Sequence, residues 1–211
     1  MSVIVLAGNK GGVGKTTLSL NLAAAFARNE STVILDADPQ GSALQWYANS
    51  EYEELLPPVF AAAADLDAQV VDLQARYRRI IIDCPPSVLA PQTHAALRVG
   101  DFALIPVQPS PLDLWAMVHL ERALEQAREV NPGLAALLVI SQLEARTTLS
   151  RLMPDALAEL GIAVAATAIR RRAVYRASAL EGRSVFHMGR RGAAAAAELD
   201  QLISEVITHD R

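Results

Sequence analysis

The segment Asn9-Lys10-Gly11-Gly12-Val13-Gly14-Lys15-Thr16-Thr17 constrains this chain more than any other. It follows a short apolar run, Val3–Ala7, and precedes Leu18, Leu22, Ala25 and Phe26, which recur at helical spacing. A strand, a glycine-rich turn and a helix in that order gather backbone N–H groups and a positive helix end around one point. Glycines let the backbone wrap closely with its N–H groups turned inward, which suits phosphate. Lys15 is placed to reach the β- and γ-phosphates of ATP, and the Thr16 hydroxyl to ligate Mg²⁺. The first glycine of the common G-x-x-x-x-G-K-[ST] spacing is replaced by Asn9, and a second lysine, Lys10, follows it. The chain has only two lysines, Lys10 and Lys15, against 17 arginines. Both fall in this loop, where a compact ammonium meets phosphate.

Carboxylates follow at the ends of other apolar runs. Leu35-Asp36-Ala37-Asp38-Pro39-Gln40-Gly41 places Asp36 and Asp38 at i and i+2, on one side of an extended chain. Asp83 ends Ile80-Ile81-Ile82, a hydrophobic strand delivering a carboxylate toward a metal shell. Cys84 reads as a small buried residue. The four histidines lack metal-ligand spacing.

Around these motifs, β-branched runs alternate with helical patterns. Strands are expected at Val3–Ala7, Thr32–Leu35, Ile80–Ile82, Phe102–Val107 and Leu137–Ile140, with a weaker one near Val164–Ala168. Helices are expected at 15–28, 42–50, 65–77, 91–98, 113–130 and 148–160. The alternation predicts an α/β fold in one domain: a mostly parallel, twisted sheet with helices on both faces. At a net charge of −4 the chain is no general nucleic-acid binder, though an average hides local patches. A single cysteine, no signal-like N-terminus and no apolar run of spanning length point to a cytosolic protein.

Taken together, these motifs resemble ParA/MinD-type ATPases across about residues 2–207. Lys10–Thr17 matches their deviant Walker A loop, Asp36–Gly41 their second motif, and Ile81-Ile82-Asp83-Cys84-Pro85-Pro86 their Walker B. Pro106 and Pro109-Ser110-Pro111-Leu112-Asp113 fit the ParA branch, and the short chain is most similar to the small ParA group. The resemblance implies a P-loop fold and an ATP hydrolase using ATP and Mg²⁺. Gly11, Gly12, Val13, Gly14, Lys15, Thr16 and Thr17 would bind the nucleotide, with Thr17 at the α-phosphate. Thr16, Asp36 and Asp83 would serve the metal. Asp38 would activate water, with Lys10 and Lys15 as its catalytic companions. Lys10 would cross the interface of an ATP-dependent homodimer, near Ser110 and Asp113.

Residues 170–191 hold Arg170, Arg171, Arg172, Arg176, Arg183, Arg190 and Arg191 against Glu181 alone, a local charge of +6. Guanidinium forks suit phosphate oxygens. The resemblance implies non-specific DNA binding through Arg170, Arg171, Arg172, Arg176, Arg190 and Arg191. It also likens Ala168-Ile169-Arg170-Arg171 to a base-binding segment, which would assign Ile169, Arg170 and Arg171 to the nucleotide. Sequence does not separate those roles. The resemblance further implies nucleoid association when ATP is bound, and a ParB-like or adaptor protein that stimulates hydrolysis.

The last helix carries Leu199, Leu202, Ile203, Val206 and Ile207 on one face. Its polar face, with Glu198, Asp200 and Glu205, would repel anionic lipid, so core packing is expected and no membrane partner. The alternatives are a MinD-like membrane switch and a metabolic enzyme sharing the loop. One cysteine does not supply the iron–sulfur ligands of a nitrogenase-type reductase.

Overall fold

The computed structural model describes residues 1–51, 56–144, 157 and 161–209, with residues 111–116 described by their backbone only. Among the described residues seven strands, β1 (Ser2–Leu6), β2 (Thr32–Asp36), β3 (Val59–Ala61), β4 (Arg79–Asp83), β5 (Phe102–Val107), β6 (Ala135–Ile140) and β7 (Ala163–Val164), form one sheet. Their order is β3-β2-β4-β1-β5-β6-β7. Every pairing is parallel. The helices are α1 (Lys15–Phe26), α2 (Ser42–Ala48), α3 (Leu66–Gln74), α4 (Pro91–Val99), α5 (Pro111–Val130), α6 (Ala173–Leu180) and α7 (Ala193–His209).

Parallel strands need crossovers, and these helices supply them on both faces. Alternate residues of the central strands feed two cores. Val3, Val5, Val33, Leu35, Ile80 and Ile82 pack with α3, α4 and α5. Ile4, Leu6, Ile34, Ile81 and Leu104 pack with α1, α2 and α7. Most of the apolar face of α7 packs there: Leu199, Leu202 and Val206 are fully buried and Ile203 partly, while Ile207 is 36% exposed. No helix among the described residues is long and apolar enough to cross a membrane.

The sequence reading missed β3 and α6. Val59-Phe60-Ala61 follows two prolines and is too short to show a period. Ala173–Leu180 lies inside the segment 170–191, whose sequence reading rests on its arginine charge. The strand expected at Val164–Ala168 ends at Val164. Beyond it, Ala165 N and Ile169 N still donate to Leu138 O and Ile140 O of β6, while on the opposite edge the N–H groups of Ala166 and Thr167 donate to the Glu205 carboxylate of α7 at 2.7 and 2.9 Å. The helix expected at 148–160 lies outside the described residues except for Leu157, which is helical and buried.

The chemistry collects where the strand order reverses. β1 lies between β4 and β5, so crossovers leave it in opposite directions and a crevice opens at the strands' C-terminal ends. Asp83 is in register with Leu6 on one side and Asp36 on the other. One sheet edge therefore carries the glycine loop, both strand-end carboxylates and the polar residues after β5 and β6.

Candidate functional site

The loop from Gly8 to Gly14 joins β1 to α1. Gly12 and Gly14 have φ of 75° and 100°, a left-handed geometry that side chains rarely adopt. A Cβ on Gly14 would also sit 3.2 Å from Ser141 Oγ. α1 starts without a side-chain cap and without an acid in its first turn. In contrast, Asp65 caps α3 at 3.0 Å from Ala68 N. The uncapped N–H groups of α1, with its positive end, leave an anion-binding position unfilled by protein.

The loop is braced from the neighbouring strand ends. Ser141 Oγ donates to Val13 O at 2.8 Å. The side-chain amides of Gln108 and Gln142 both donate to Gly12 O, the former at 3.2 Å. Gln142 is the non-glycine residue with positive φ among the described residues, at 53°. With these two carbonyls engaged by side chains, the loop's N–H groups are the backbone groups suited to an anion.

Lys15 is 6% exposed, and its ammonium donates to Lys10 O at 3.1 Å. Burial lowers its pKa, opposed by the nearby Asp83 carboxylate. Lys10, half-buried, lies at the loop's opposite end. Asp83 is fully buried. It accepts from Thr16 Oγ1 at 2.7 Å and from Ser19 Oγ at 2.9 Å. Burial pushes its pKa up to about 7, although both hydroxyls pull the other way. Ser19 escaped the sequence reading, yet three residues after Thr16 it shares the same helix face.

Asp36 and Asp38 separate into different environments. Asp36 Oδ2 accepts from Ala43 N and Leu44 N at 2.9 and 3.0 Å, at the start of α2. Its Oδ1 accepts from Asp38 N at 3.1 Å. Burial raises its pKa, and these three N–H groups oppose the rise. Asp38 is half-buried and accepts from Gln40 N at 3.0 Å, holding its own turn.

Oxygen donors are the rule here. Among the described residues no three His, Cys, Asp or Glu side chains converge as a metal cage. Thr16 and Asp83 offer a hard cation two oxygen groups beside the anion position. That suits Mg²⁺, which keeps waters and takes phosphate oxygens to complete its octahedron.

Beside the loop opens a cavity of about 210 Å³ lined by Gly14, Thr17, Gln142, Ile169, Arg170 and Tyr175 among others. Arg171, Arg172 and Arg176 complete its wall. The residues expected to hold a base therefore stand next to the phosphate loop. The arginine cluster is less positive than its sequence. Arg172 pairs with Glu198 at 2.5 Å, Arg171 with Glu144 at 2.5 Å, and Arg191 with Glu181 at 3.0 Å. Arg170 lies 3.7 Å from Glu198. Arg176 and Arg190 are exposed and carry no ion pair among the described residues. Arg190 and Arg191 sit on the turn Gly189–Arg191, outside the cavity. Ser110 precedes α5, and Asp113 lies in its first turn by backbone.

Residues 4–185 match the CobQ/CobB/MinD/ParA nucleotide binding domain. The chain is 40% identical over 206 residues to the maintenance of carboxysome distribution protein A of Halothiobacillus neapolitanus, covering 97% of this chain and 95% of that one. It is 33% identical over 180 residues to the chromosome-partitioning ATPase Soj of Thermus thermophilus, covering 70% and 72%. In fold it is similar to apo McdA of Cyanothece, with a TM-score of 0.76, 16% identity and 94% and 99% coverage. The glycine loop between β1 and α1, the strand-end carboxylates and these likenesses converge: the chain belongs to the CobQ/CobB/MinD/ParA nucleotide-binding family, as a ParA/MinD-type ATPase.

Proposed function

We propose that the chain is a ParA-type positioning ATPase that pairs with a second copy around ATP and Mg²⁺, binds DNA without sequence preference, and distributes a cargo. The observation that carries this is the single sheet edge on which Lys15, Thr16, Asp83 and Asp38 meet the uncapped start of α1. The identity of 40% to a carboxysome distribution protein favours a protein body as cargo over a plasmid or chromosomal origin.

The residues divide the work. The N–H groups of Gly11–Thr17 hold the phosphates, Lys15 neutralises the β- and γ-oxygens, and Thr16 with Asp83 holds the magnesium shell. Bound Mg²⁺ supplies charge neutralisation on the phosphate oxygens. Asp38, on the turn anchored by Asp36, orients the attacking water and receives its proton. Asp36 serves the metal site indirectly, by fixing that turn. Lys10 reaches the partner copy's nucleotide across a face that includes Ser110 and Asp113. Arg176 and Arg190 contact DNA phosphates. A ParB-like or adaptor protein stimulates hydrolysis and so releases the dimer from the nucleoid.

A membrane switch is disfavoured because α7 buries Leu199, Leu202 and Val206 and engages Glu198 and Glu205 with the segment 165–172. The test is retention on DNA with ATP, ADP or no nucleotide, across a salt series. ATP-dependent retention that falls steeply with salt supports the reading. Retention indifferent to both nucleotide and salt rejects it.

A further inference from the structure

The segment 165–172, which leads into the cavity wall, is held along two edges. On one edge, Ala165 N donates to Leu138 O at 2.8 Å, Ile169 N to Ile140 O at 2.8 Å, and Arg171 N to Leu143 O at 3.1 Å. These bonds continue the direction of the sheet. The other edge has no strand beside it among the described residues. Its N–H groups are taken by two carboxylates of α7, seven residues and so two turns apart. Glu205 accepts from Ala166 N and Thr167 N. Glu198 accepts from Arg170 N at 3.3 Å.

Glu198 does more than Glu205. Its Oε2 also accepts from Arg172 Nε at 3.2 Å, and its Oε1 from Arg172 Nη2 at 2.5 Å. Arg170 Nε lies 3.7 Å from the same carboxylate. One side chain, only 14% exposed, thus orients the backbone at Arg170 and the guanidiniums of Arg170 and Arg172. Both arginines line the cavity beside Thr17. A bidentate arginine pair at low exposure fixes direction as well as distance. Without the carboxylate, two cations would repel each other across the cavity wall, and one N–H would lose its acceptor.

We infer that Glu198 is a positioning residue for the nucleotide: from the C-terminal helix α7 it sets the wall against which the adenosine part of ATP is held. The inference rests on the reading of the cavity as the adenosine pocket. It makes α7 part of the nucleotide site, although α7 follows the last phosphate-loop residue by 176 positions, from Thr17 to Ala193. Binding the adenosine requires a wall whose side chains are already in place, because loose arginines would spend binding energy on being ordered.

The experiment compares two ligands by calorimetry with Mg²⁺: ATP, and inorganic tripolyphosphate, which has the phosphates and no adenosine. The chains are the parent, Glu198→Ala, Glu198→Gln and Glu205→Ala, each with its melting temperature measured without ligand. Glu198→Ala is expected to weaken ATP by about tenfold, the scale of one lost charged hydrogen bond, and leave tripolyphosphate within twofold. Glu198→Gln keeps an acceptor for Arg170 N and is expected to fall between parent and Ala. It also serves if the Ala variant does not fold. Glu205→Ala removes the other carboxylate away from the cavity and is expected to lower the melting temperature while leaving ATP affinity within twofold. Equal losses for ATP and tripolyphosphate, unchanged ATP affinity in both Glu198 variants, or an equal ATP loss in Glu205→Ala would overturn the inference. A parent chain that binds ATP no more tightly than tripolyphosphate would instead remove the adenosine-pocket reading, and the inference with it.

Discussion

Thr16 and Asp83, 67 positions apart in sequence, meet at 2.7 Å with the threonine hydroxyl donating to the carboxylate. The contact closes α1 onto the end of β4. It brings the proposed magnesium ligand, half-buried, and a fully buried carboxylate into one hydrogen bond. Burial disfavours the charged Asp83 carboxylate, the Thr16 and Ser19 hydroxyls offset part of that cost, and the balance shifts with pH.

The first prediction concerns that balance. Burial pushes the Asp83 carboxyl up from its ordinary 3.8 to about 7 in the folded chain. The folded chain therefore holds one more proton between those values. Its stability falls as pH rises through that window, by up to about 1.4 kcal/mol per pH unit. Melting curves without nucleotide or Mg²⁺, from pH 4.5 to 7.5, should show this slope. Asp83→Asn should flatten it, and an unchanged slope in that variant would assign the effect elsewhere.

Lys15 should be required for binding and not only for turnover. Its ammonium is held at 3.1 Å from Lys10 O, where it is already ordered for phosphate. Lys15→Ala should reduce MgATP affinity by about two orders of magnitude, the scale of a lost charged contact with no water to replace it. Calorimetry measures it. Affinity within threefold of the parent would mean that the loop does not bind phosphate as described.

Asp36 and Asp38 should fail in different ways. Asp36 caps the start of α2 with two hydrogen bonds, so Asp36→Ala should cost about 1–2 kcal/mol of folding stability. Asp38→Ala should leave stability within about 0.5 kcal/mol, keep ATP binding and abolish phosphate release. Denaturant melts and a phosphate assay separate the two. Normal hydrolysis in Asp38→Ala would remove it as the water-orienting group.

DNA retention should depend on the arginines that are not engaged. Arg176→Ala and Arg190→Ala should each lower the slope of log affinity against log salt by about 1. Arg172→Ala, whose guanidinium is committed to Glu198, should change that slope little and weaken ATP instead. The reverse pattern would place the DNA surface at Arg172 and leave Arg176 and Arg190 outside it.

What the sequence determined by itself is the phosphate loop, its flanking strand and helix, and the carboxylates at the ends of β2 and β4. These follow from near neighbours: glycines that permit positive φ at 12 and 14, apolar runs that must be buried, and a lysine and threonine in the first turn of a helix. Even the acidic polar face of α7 was legible, as a face unsuited to lipid. Only the tertiary structure decided what those acids do. It set Glu198 on Arg170 and Arg172, Glu205 on Ala166 and Thr167, Ser19 on Asp83, and two glutamines on Gly12 O. Dihedral preferences and burial periods act over a few residues and so are written locally. An ion pair between residues 26 apart, or a hydrogen bond between residues 130 apart, depends on which helix packs over which strand end, and that is fixed only once both cores have formed.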